Sequence, residues 1–343
     1  MKKINIAVIM GGKTPEHEIS LISGKEVVKN LNGDKYNVLP IIISKDGKRW
    51  QLVSPKNLLE SSDPLKLKGT RKELTVVNSR EISGTSEVVK KGVQIAFIAM
   101  HGPYGEDGTV QGMLELAGIP FTGPGVLASA LGMDKEMFRK IMCYEKLPIP
   151  KYMVVKRGER LNLIEEKLGK PPYFVKPAKQ GSSVGASIAR THKDLRKSLS
   201  RAFRYDDTAL IDEYIKGLEV TCAVLGNRKP LALPVIEIRP KGKFFDYDSK
   251  YMPGGSEEIV PARISKNLAR KVQELAIKVY KAIGCRGFSR VDFILENNKS
   301  PIILEINTIP GLTPMSLLPK AAKAAGISYT KLLEKIINYA LSK

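Results

Sequence analysis

Residues 287–312, GFSRVDFILENNKSPIILEINTIPGL, read as two strands joined by a turn, and the polar face of that pair decides how the rest of the chain is understood. Side chains two apart along a strand share a face. Arg290 and Asp292 therefore point one way, as do Glu305 and Asn307, while Val291, Phe293, Leu304 and Ile306 point the other. With Asn298 and Lys299 as the tight turn, Asp292 falls opposite Glu305 and Arg290 opposite Asn307. Two carboxylates facing each other across a ladder repel, and one would have to keep its proton unless a cation lies between them. A divalent ion relieves that conflict. Asp, Glu and an Asn carbonyl, without His or Cys, are hard oxygen donors that suit magnesium, which fills its remaining positions with water and phosphate. The competing reading is an exposed hairpin with ordinary surface charges.

A chain of 343 residues with 43% hydrophobic content exceeds the length at which single cores subdivide, so two or three domains are expected. The net charge of +21 raises the question of nucleic-acid binding, but the Lys and Arg residues interleave with Asp and Glu, aromatics are only 6%, and no nucleic-acid module is recognisable. A basic surface that steers a polyphosphate toward a cleft is the better reading. The opening KKINIAVIMGG is too short for a signal segment and reads as a first strand. No apolar run approaches the ~18 residues of a membrane helix, so no membrane insertion is expected. Cys143, Cys222 and Cys285 are widely spaced in apolar surroundings, as expected for buried thiols in a reducing cytoplasm.

The first segment alternates strands (NIAVIM, YNVLPIIIS, QIAFIAM) with helices (EHEISLISGKEVVKNL, TVQGMLELAG), the pattern of an open, Rossmann-like α/β domain spanning 1–133. Residues 55–91 are irregular, a loop or a weak strand pair. From Asp134 the pattern changes to a helix (KEMFRKIMCYEK), a strand, a further helix (RLNLIEEKLGK) and a strand (YFVKPA) that runs into a glycine-containing loop; this is a second, α+β domain, 134–217. TALIDEYIKGLEVTCAVLG gives two strands that lead into a third domain, 218–343, with a long amphipathic helix from Lys266 capped by Ser265 and stopped near Gly284. A last helix carries Leu333, Ile336, Ile337, Ala340 and Leu341 at core spacing.

Other stretches offer chemistry, each with a plainer alternative. In FVKPAKQGSSVGAS, Lys176 ends a strand and the small residues let backbone N–H groups and the Ser182 and Ser183 hydroxyls approach an anion; a flexible hairpin tip fits equally, and the P-loop spacing is absent. In IMGGKTPEHEIS, Glu16 stands at a helix entrance, where it complements the helix dipole or receives a substrate ammonium. In MHGPYGEDGTVQG, His101 lies at a strand C-terminus, where open α/β sheets bind ligands, although a structural histidine fits as well. KFFDYDSKYMPGGSEEIVPA interrupts the regular elements as a closing loop would, with Lys250 and Tyr251 its working residues, or as a surface excursion.

In this order along the chain, GGKTPEHEIS, HGPYGEDGTVQG, GMDK, VKPAKQGSSVG, DYDSKY, GFSRVDF and LEINTIPGLTPMSL resemble the D-alanine–D-alanine ligases of the ATP-grasp fold, and the resemblance covers nearly the whole chain. It implies a three-domain ATP-grasp enzyme that phosphorylates one D-alanine with ATP and lets the amine of a second attack the acyl phosphate, for peptidoglycan synthesis. Lys135 and Lys176 would hold the nucleotide phosphates with Ser183. Asp212, Glu213, Tyr214 and Ile215 would border the adenine, Glu219 would bond the ribose, and Phe244 would pack on the base. Asp292, Glu305 and Asn307 would hold two magnesium ions, or manganese in their place, in agreement with the carboxylate conflict read from the strands. Arg290 and the Gly311 N–H would stabilise the oxyanion. Glu16 would anchor the first D-alanine near His101 and connect through Ser182 to Tyr251, while Ser316, Leu317 and Lys250 would receive the second carboxylate. Tyr251 marks the dipeptide product, since Phe stands there in relatives that use D-lactate. Asp212, where a longer acid is common, and Tyr214 and Lys216 depart from the family pattern. The resemblance also implies a cytoplasmic homodimer.

Overall fold

The computed structural model describes residues 3–61, 73–75, 92–161, 163–240 and 255–342. The N-terminal part comprises β1 (Ile4–Gly11), α1 (His17–Asn30), β2 (Tyr36–Ile43), β3 (Arg49–Leu52), α2 (Pro55–Glu60), β4 (Glu73–Thr75), β5 (Ile95–Ile98), α3 (Thr109–Leu116) and α4 (Val126–Met133). Its sheet runs β4-β3-β2-β1-β5, with β1 parallel to both neighbours and β3 and β4 antiparallel at the edge. Strands β1 and β5 are buried almost throughout, which is why both read as continuous apolar runs. Only part of 55–91 is described; there the short helix α2, whose cap is Ser54, stands where a loop or weak strand pair is expected.

The middle of the chain supplies α5 (Lys135–Tyr144), β6 (Tyr152–Lys156), α6 (Ile164–Leu168), β7 (Tyr173–Pro177), β8 (Ser187–Ala189), α7 (His192–Ala202) and β9 (Thr208–Glu213). Its antiparallel sheet runs β6-β9-β7-β8. Helix α6 is shorter than the sequence pattern suggests, because Leu163 takes a left-handed backbone with φ 62° and the helix starts only after it.

The last part holds β10 (Gly217–Leu225), β11 (Leu231–Ala232), β12 (Ile236–Pro240), β13 (Ser256–Ile259), α8 (Lys266–Ala282), β14 (Phe288–Glu296), β15 (Ser300–Asn307), α9 (Leu317–Ala324) and α10 (Tyr329–Leu341). Its antiparallel sheet runs β13-β12-β10-β14-β15, with β11 on β10. As expected, the Ser265 hydroxyl accepts from the Leu268 N–H at the start of α8, and Val272, Leu275 and Val279 are buried along its inner stripe. Leu341, expected in the core, is exposed at the end of α10.

Two apolar cores cross these boundaries. One joins β1, β2 and β5 to Phe288, Ile309, Leu312 and the inner faces of α9 and α10. Another joins Phe138 and Met142 of α5 to α8 and the β10-β14-β15 ribbon. The cysteines are all unpaired, but only Cys222 is fully buried, where burial pushes its thiol up to about 12; Cys143, expected inside, lies on the solvent side of α5. No helix of the described residues is long and apolar enough to cross a membrane.

Candidate active site

The β14-β15 hairpin pairs as its alternation predicts: Arg290 opposite Asn307, Asp292 opposite Glu305. The turn does not. Glu296 pairs with Ser300, so three residues form the loop, and Asn297 and Asn298 both take left-handed φ values of 50° and 57°. A bulge restores the register, since Phe293 pairs with Ile303 and Asp292 with Glu305, leaving Leu304 as the extra residue. Leu304, predicted to face the core with Phe293, consequently turns to the same cavity as Glu305.

The hairpin's polar face runs between two cavities. Asp292 and Glu305 line the larger, of about 420 Å³, while Arg290 and Asn307 line a neighbouring one of about 250 Å³. Residues two apart on a strand are separated by about 7 Å, so one ribbon addresses both spaces. The loop after β7 does the same with adjacent residues: Ser183 lines the larger cavity and Ser182 the smaller, both with left-handed φ.

In the larger cavity, Asp134 caps α5 by accepting from the Glu136 and Met137 N–H groups, which fixes Lys135 in the first turn. The Lys135 ammonium donates to the Gln180 carbonyl at 2.6 Å and lies 3.7 Å from the Glu305 carboxylate. Lys176 meets Asp212 Oδ2 at 2.9 Å, and Arg139 Nη2 meets the same oxygen at 3.1 Å. Asp212 lines the cavity together with Glu213, Tyr214, Ile215 and Glu219, but its carboxylate is engaged by two cations. Arg139 escaped the sequence reading. It stands with Lys135, Phe138 and Met142 on the buried stripe of α5, and an Arg at a core position was the available signal.

In the smaller cavity, Glu16 is buried at the entrance of α1 yet makes no cap bond; its carboxylate accepts from the Ser182 hydroxyl across the chain. Gly102, with φ +71°, leaves the room this needs, because a Cβ there would collide with the Glu16 carboxylate and the Thr14 hydroxyl. His101 is buried, with Nδ1 donating to the Ile309 carbonyl at 3.0 Å and Nε2 2.9 Å from Ser23 Oγ. Burial works against its charged form, but the Glu106 carboxylate 3.6 Å away, aided by Glu16 and the Ile309 carbonyl, outweighs that and holds the imidazole above its usual range. Burial in turn raises Glu106, although His101 opposes it. Gly311, Ser316 and Leu317 also line this cavity, where the Ser316 hydroxyl is 2.8 Å from that of Thr313. Glu258, unnoticed in the sequence, also lines this cavity and accepts from Lys320 at 2.6 Å. Phe244, Lys250 and Tyr251 lie outside the described residues.

Asp292 is heavily bonded. Its Oδ1 accepts from Arg290 Nε at 2.8 Å and from the Thr221 hydroxyl at 2.6 Å; its Oδ2 accepts from Arg290 Nη2 at 2.8 Å and Asn307 Nδ2 at 2.9 Å. No group of three or more His, Cys, Asp or Glu forms a metal cluster among the described residues. The donor set expected from sequence, two carboxylates and an amide, nevertheless fits a hard divalent ion. Asp292 and Glu305 face one cavity from paired positions, and the amide N–H of Asn307 already points to Asp292.

An antiparallel four-stranded sheet and a larger antiparallel sheet, with lysines at a strand end and a helix start above paired carboxylates, define an ATP-grasp enzyme. Comparison with known proteins narrows this. The profile described as D-ala D-ala ligase N-terminus matches residues 5–124, and that described as D-ala D-ala ligase C-terminus matches residues 141–338. The D-alanine–D-alanine ligase of Desulforudis audaxviator is 41% identical over 338 residues, covering 98% of each chain. The D-alanine–D-alanine ligase B of Clostridium tetani is 40% identical and covers all of this chain and 95% of its own. Among solved structures, the VanG D-Ala:D-Ser ligase of Enterococcus faecalis superposes with a TM-score of 0.84 at 34% identity, covering 99% of this chain and 100% of that one. The Bacillus anthracis D-alanine–D-alanine ligase complexed with ATP gives a TM-score of 0.76 at 33% identity, covering 98% and 97%. The chain belongs to the D-alanine–D-alanine ligase family, a family of ATP-dependent ligases.

Proposed function

We propose that this chain joins two D-alanine molecules into D-alanyl-D-alanine for peptidoglycan precursors, converting ATP to ADP and phosphate. The observation that carries the reading is the hairpin shared between two cavities, which brings the phosphate-handling and acyl-handling residues of one reaction onto a single ribbon. The larger cavity takes ATP: Lys135 and Lys176 bear on the phosphates, Ser183 with them, while Glu213, Tyr214, Ile215 and Glu219 face the nucleoside. Asp212 acts by holding Lys176 in place rather than by touching the base. Asp292, Glu305 and Asn307 would hold two Mg²⁺ ions, which when bound neutralise polyphosphate charge.

The smaller cavity takes the amino acids. Glu16, kept in position by Ser182, receives the first ammonium beside His101. Once the first carboxylate has accepted the γ-phosphoryl group, the neutral amine of the second D-alanine attacks the acyl carbon; the C–N bond forms, the C–O bond to phosphate breaks, and the proton the amine gives up leaves with the phosphate as hydrogen phosphate. Arg290 and the Gly311 N–H face the carbonyl oxygen on which negative charge grows. Ser316 and Leu317, at the start of α9, receive the second carboxylate. Lys250 and Tyr251 complete this side in the same reading, as does Phe244 on the adenine.

The three-domain division at 133/134 and 217/218 is supported by the origin of each sheet from one of these segments. A homodimer is proposed from membership of the family, and cytoplasmic location is supported by the unpaired cysteines. The activity is tested by phosphate release with ATP and Mg²⁺ over a panel of D- and L-amino acids and D-lactate. D-alanine-dependent release with dipeptide formation is expected. Release that follows D-serine as second substrate at equal efficiency would reassign the product, and none with any D-amino acid would refute the reading.

A further inference from the structure

The Asp292 carboxylate occupies a contradictory position. It is one of the two acids expected to grip a cation, yet each of its oxygens already accepts two hydrogen bonds, and two of those four come from the Arg290 guanidinium in a bidentate pair. The other donors are fixed. Thr221 sits directly opposite Asp292 on β10, is buried, and belongs to a strand that cannot move without breaking the sheet. Asn307 is held in the β15 ladder. Arg290 differs, because its side chain stands at the boundary and also lines the smaller cavity. A carboxylate has about four acceptor positions, and all are filled here. A divalent ion can bind Asp292 only where one of these donors withdraws, and Arg290 is the one with somewhere to go.

We infer that Arg290 is the resident counter-ion of Asp292 and exchanges with the divalent ion, so that metal loading releases the guanidinium to the acyl-transfer cavity. This rests on the ligase reading above and deepens it. Without the ion, Arg290 neutralises the buried carboxylate and only borders the smaller cavity, with its guanidinium nitrogens committed to Asp292. With the ion in place, like charge repels the guanidinium from Asp292 toward the smaller cavity it already borders, where Glu16 and Glu106 supply acidic groups beside the reacting carboxylate. Thr221 is the positioning residue that keeps the carboxylate oriented in both states.

Competition fixes the sign of the effect. Removing Arg290 should tighten metal binding, whereas a guanidinium that merely braces the site should weaken it when lost. The full-length chain is titrated with Mn²⁺ in the presence of the β,γ-imido analogue of ATP, and free Mn²⁺ is read by electron paramagnetic resonance. Arg290→Lys retains the charge but cannot pair in bidentate fashion. It should bind Mn²⁺ roughly tenfold more tightly than the wild type, the low end of the factor that one charge-assisted hydrogen bond commands. Arg290→Met should bind more tightly still. Equal or weaker binding by Arg290→Lys would overturn the inference.

A second measurement needs no folded variant. In the wild-type chain, the slowly exchanging Nε–H of an arginine locked on a carboxylate should be lost from the nitrogen-edited NMR spectrum when Mg²⁺ and the analogue are added together. It should persist with the analogue alone. Unchanged arginine side-chain signals on Mg²⁺ addition would overturn the exchange. Wild-type D-alanine-dependent phosphate release in the same preparation separates the two claims, because turnover without the exchange leaves the ligase reading standing.

Discussion

Asp212→Asn removes one negative charge from a buried place where two positive charges depend on it. Arg139 has no exposed surface, Asp212 is 2% exposed and Lys176 7%, and both cations reach the same Oδ2 at 3.1 and 2.9 Å. The substitution keeps the shape but leaves a buried guanidinium and an ammonium without a counter-charge. Breaking a buried pair from one side costs about 3–5 kcal/mol. At about 1.4 °C per kcal/mol for a chain of 343 residues, the melting temperature should fall by roughly 4–7 °C. Adding Arg139→Met removes one of the stranded cations, so the double variant should recover at least ~1 kcal/mol of the loss. Saturating ATP should narrow the gap to wild type, because the triphosphate supplies Lys176 with the missing anion. Calorimetry of the wild type and both variants, with and without ATP, provides the check. A fall of less than about 2 °C, or strictly additive losses in the double variant, would refute the assignment of Asp212 as the anion that holds Arg139 and Lys176.

Ser182→Ala removes the hydroxyl that positions Glu16 and should raise KM for D-alanine by roughly 10–100-fold while changing KM for ATP little, as steady-state kinetics would show; a change confined to ATP would contradict the division of labour between adjacent serines. Glu237 is buried beneath Arg263 and Arg239, and although burial alone would raise its carboxyl, those arginines hold it below the usual range. Its folded value lies below its unfolded one, so the contribution is present above the unfolded value and is lost as pH falls through the folded one. Urea denaturation between pH 7 and pH 3 should therefore show a flatter acid decline for Glu237→Gln than for wild type, and parallel curves would contradict the pairing. Ser265→Ala deletes the cap of α8 and should cost about 1 kcal/mol in urea denaturation without altering turnover, since that helix end lies away from both cavities.

The hairpin was legible because strand alternation is insensitive to what happens at the turn, provided a compensating irregularity follows. Asn298-Lys299 was the wrong turn by one residue, and the bulge at Leu304 cancelled the error for Asp292 and Glu305 while exposing Leu304 to the cavity. No local signal in SPIILEIN distinguishes a bulged leucine from a core leucine. Glu16 and Ser182 could each be flagged in sequence, but their bond spans 166 positions and belongs to tertiary structure. The same limit hid Glu258, whose neighbours in sequence give no reason to place it beside Ser316. Arg139 is different in kind, since its core spacing with Phe138 and Met142 was visible and only the habit of placing arginine outside concealed it. Cys143 failed for the converse reason: its neighbour Met142 carries the buried stripe, and one residue further turns the side chain about 100° toward solvent.

The proposed function requires paired carboxylates on adjoining strands to hold the ions that face the nucleotide phosphates. Crystals grown with Mn²⁺ and the β,γ-imido analogue of ATP, measured at the manganese absorption edge, locate those ions without reference to activity. Anomalous peaks within about 2.5 Å of Asp292 and Glu305 oxygens, with the triphosphate between them and Lys135 and Lys176, are predicted. Peaks elsewhere, or a nucleotide bound with neither carboxylate in contact, would contradict it.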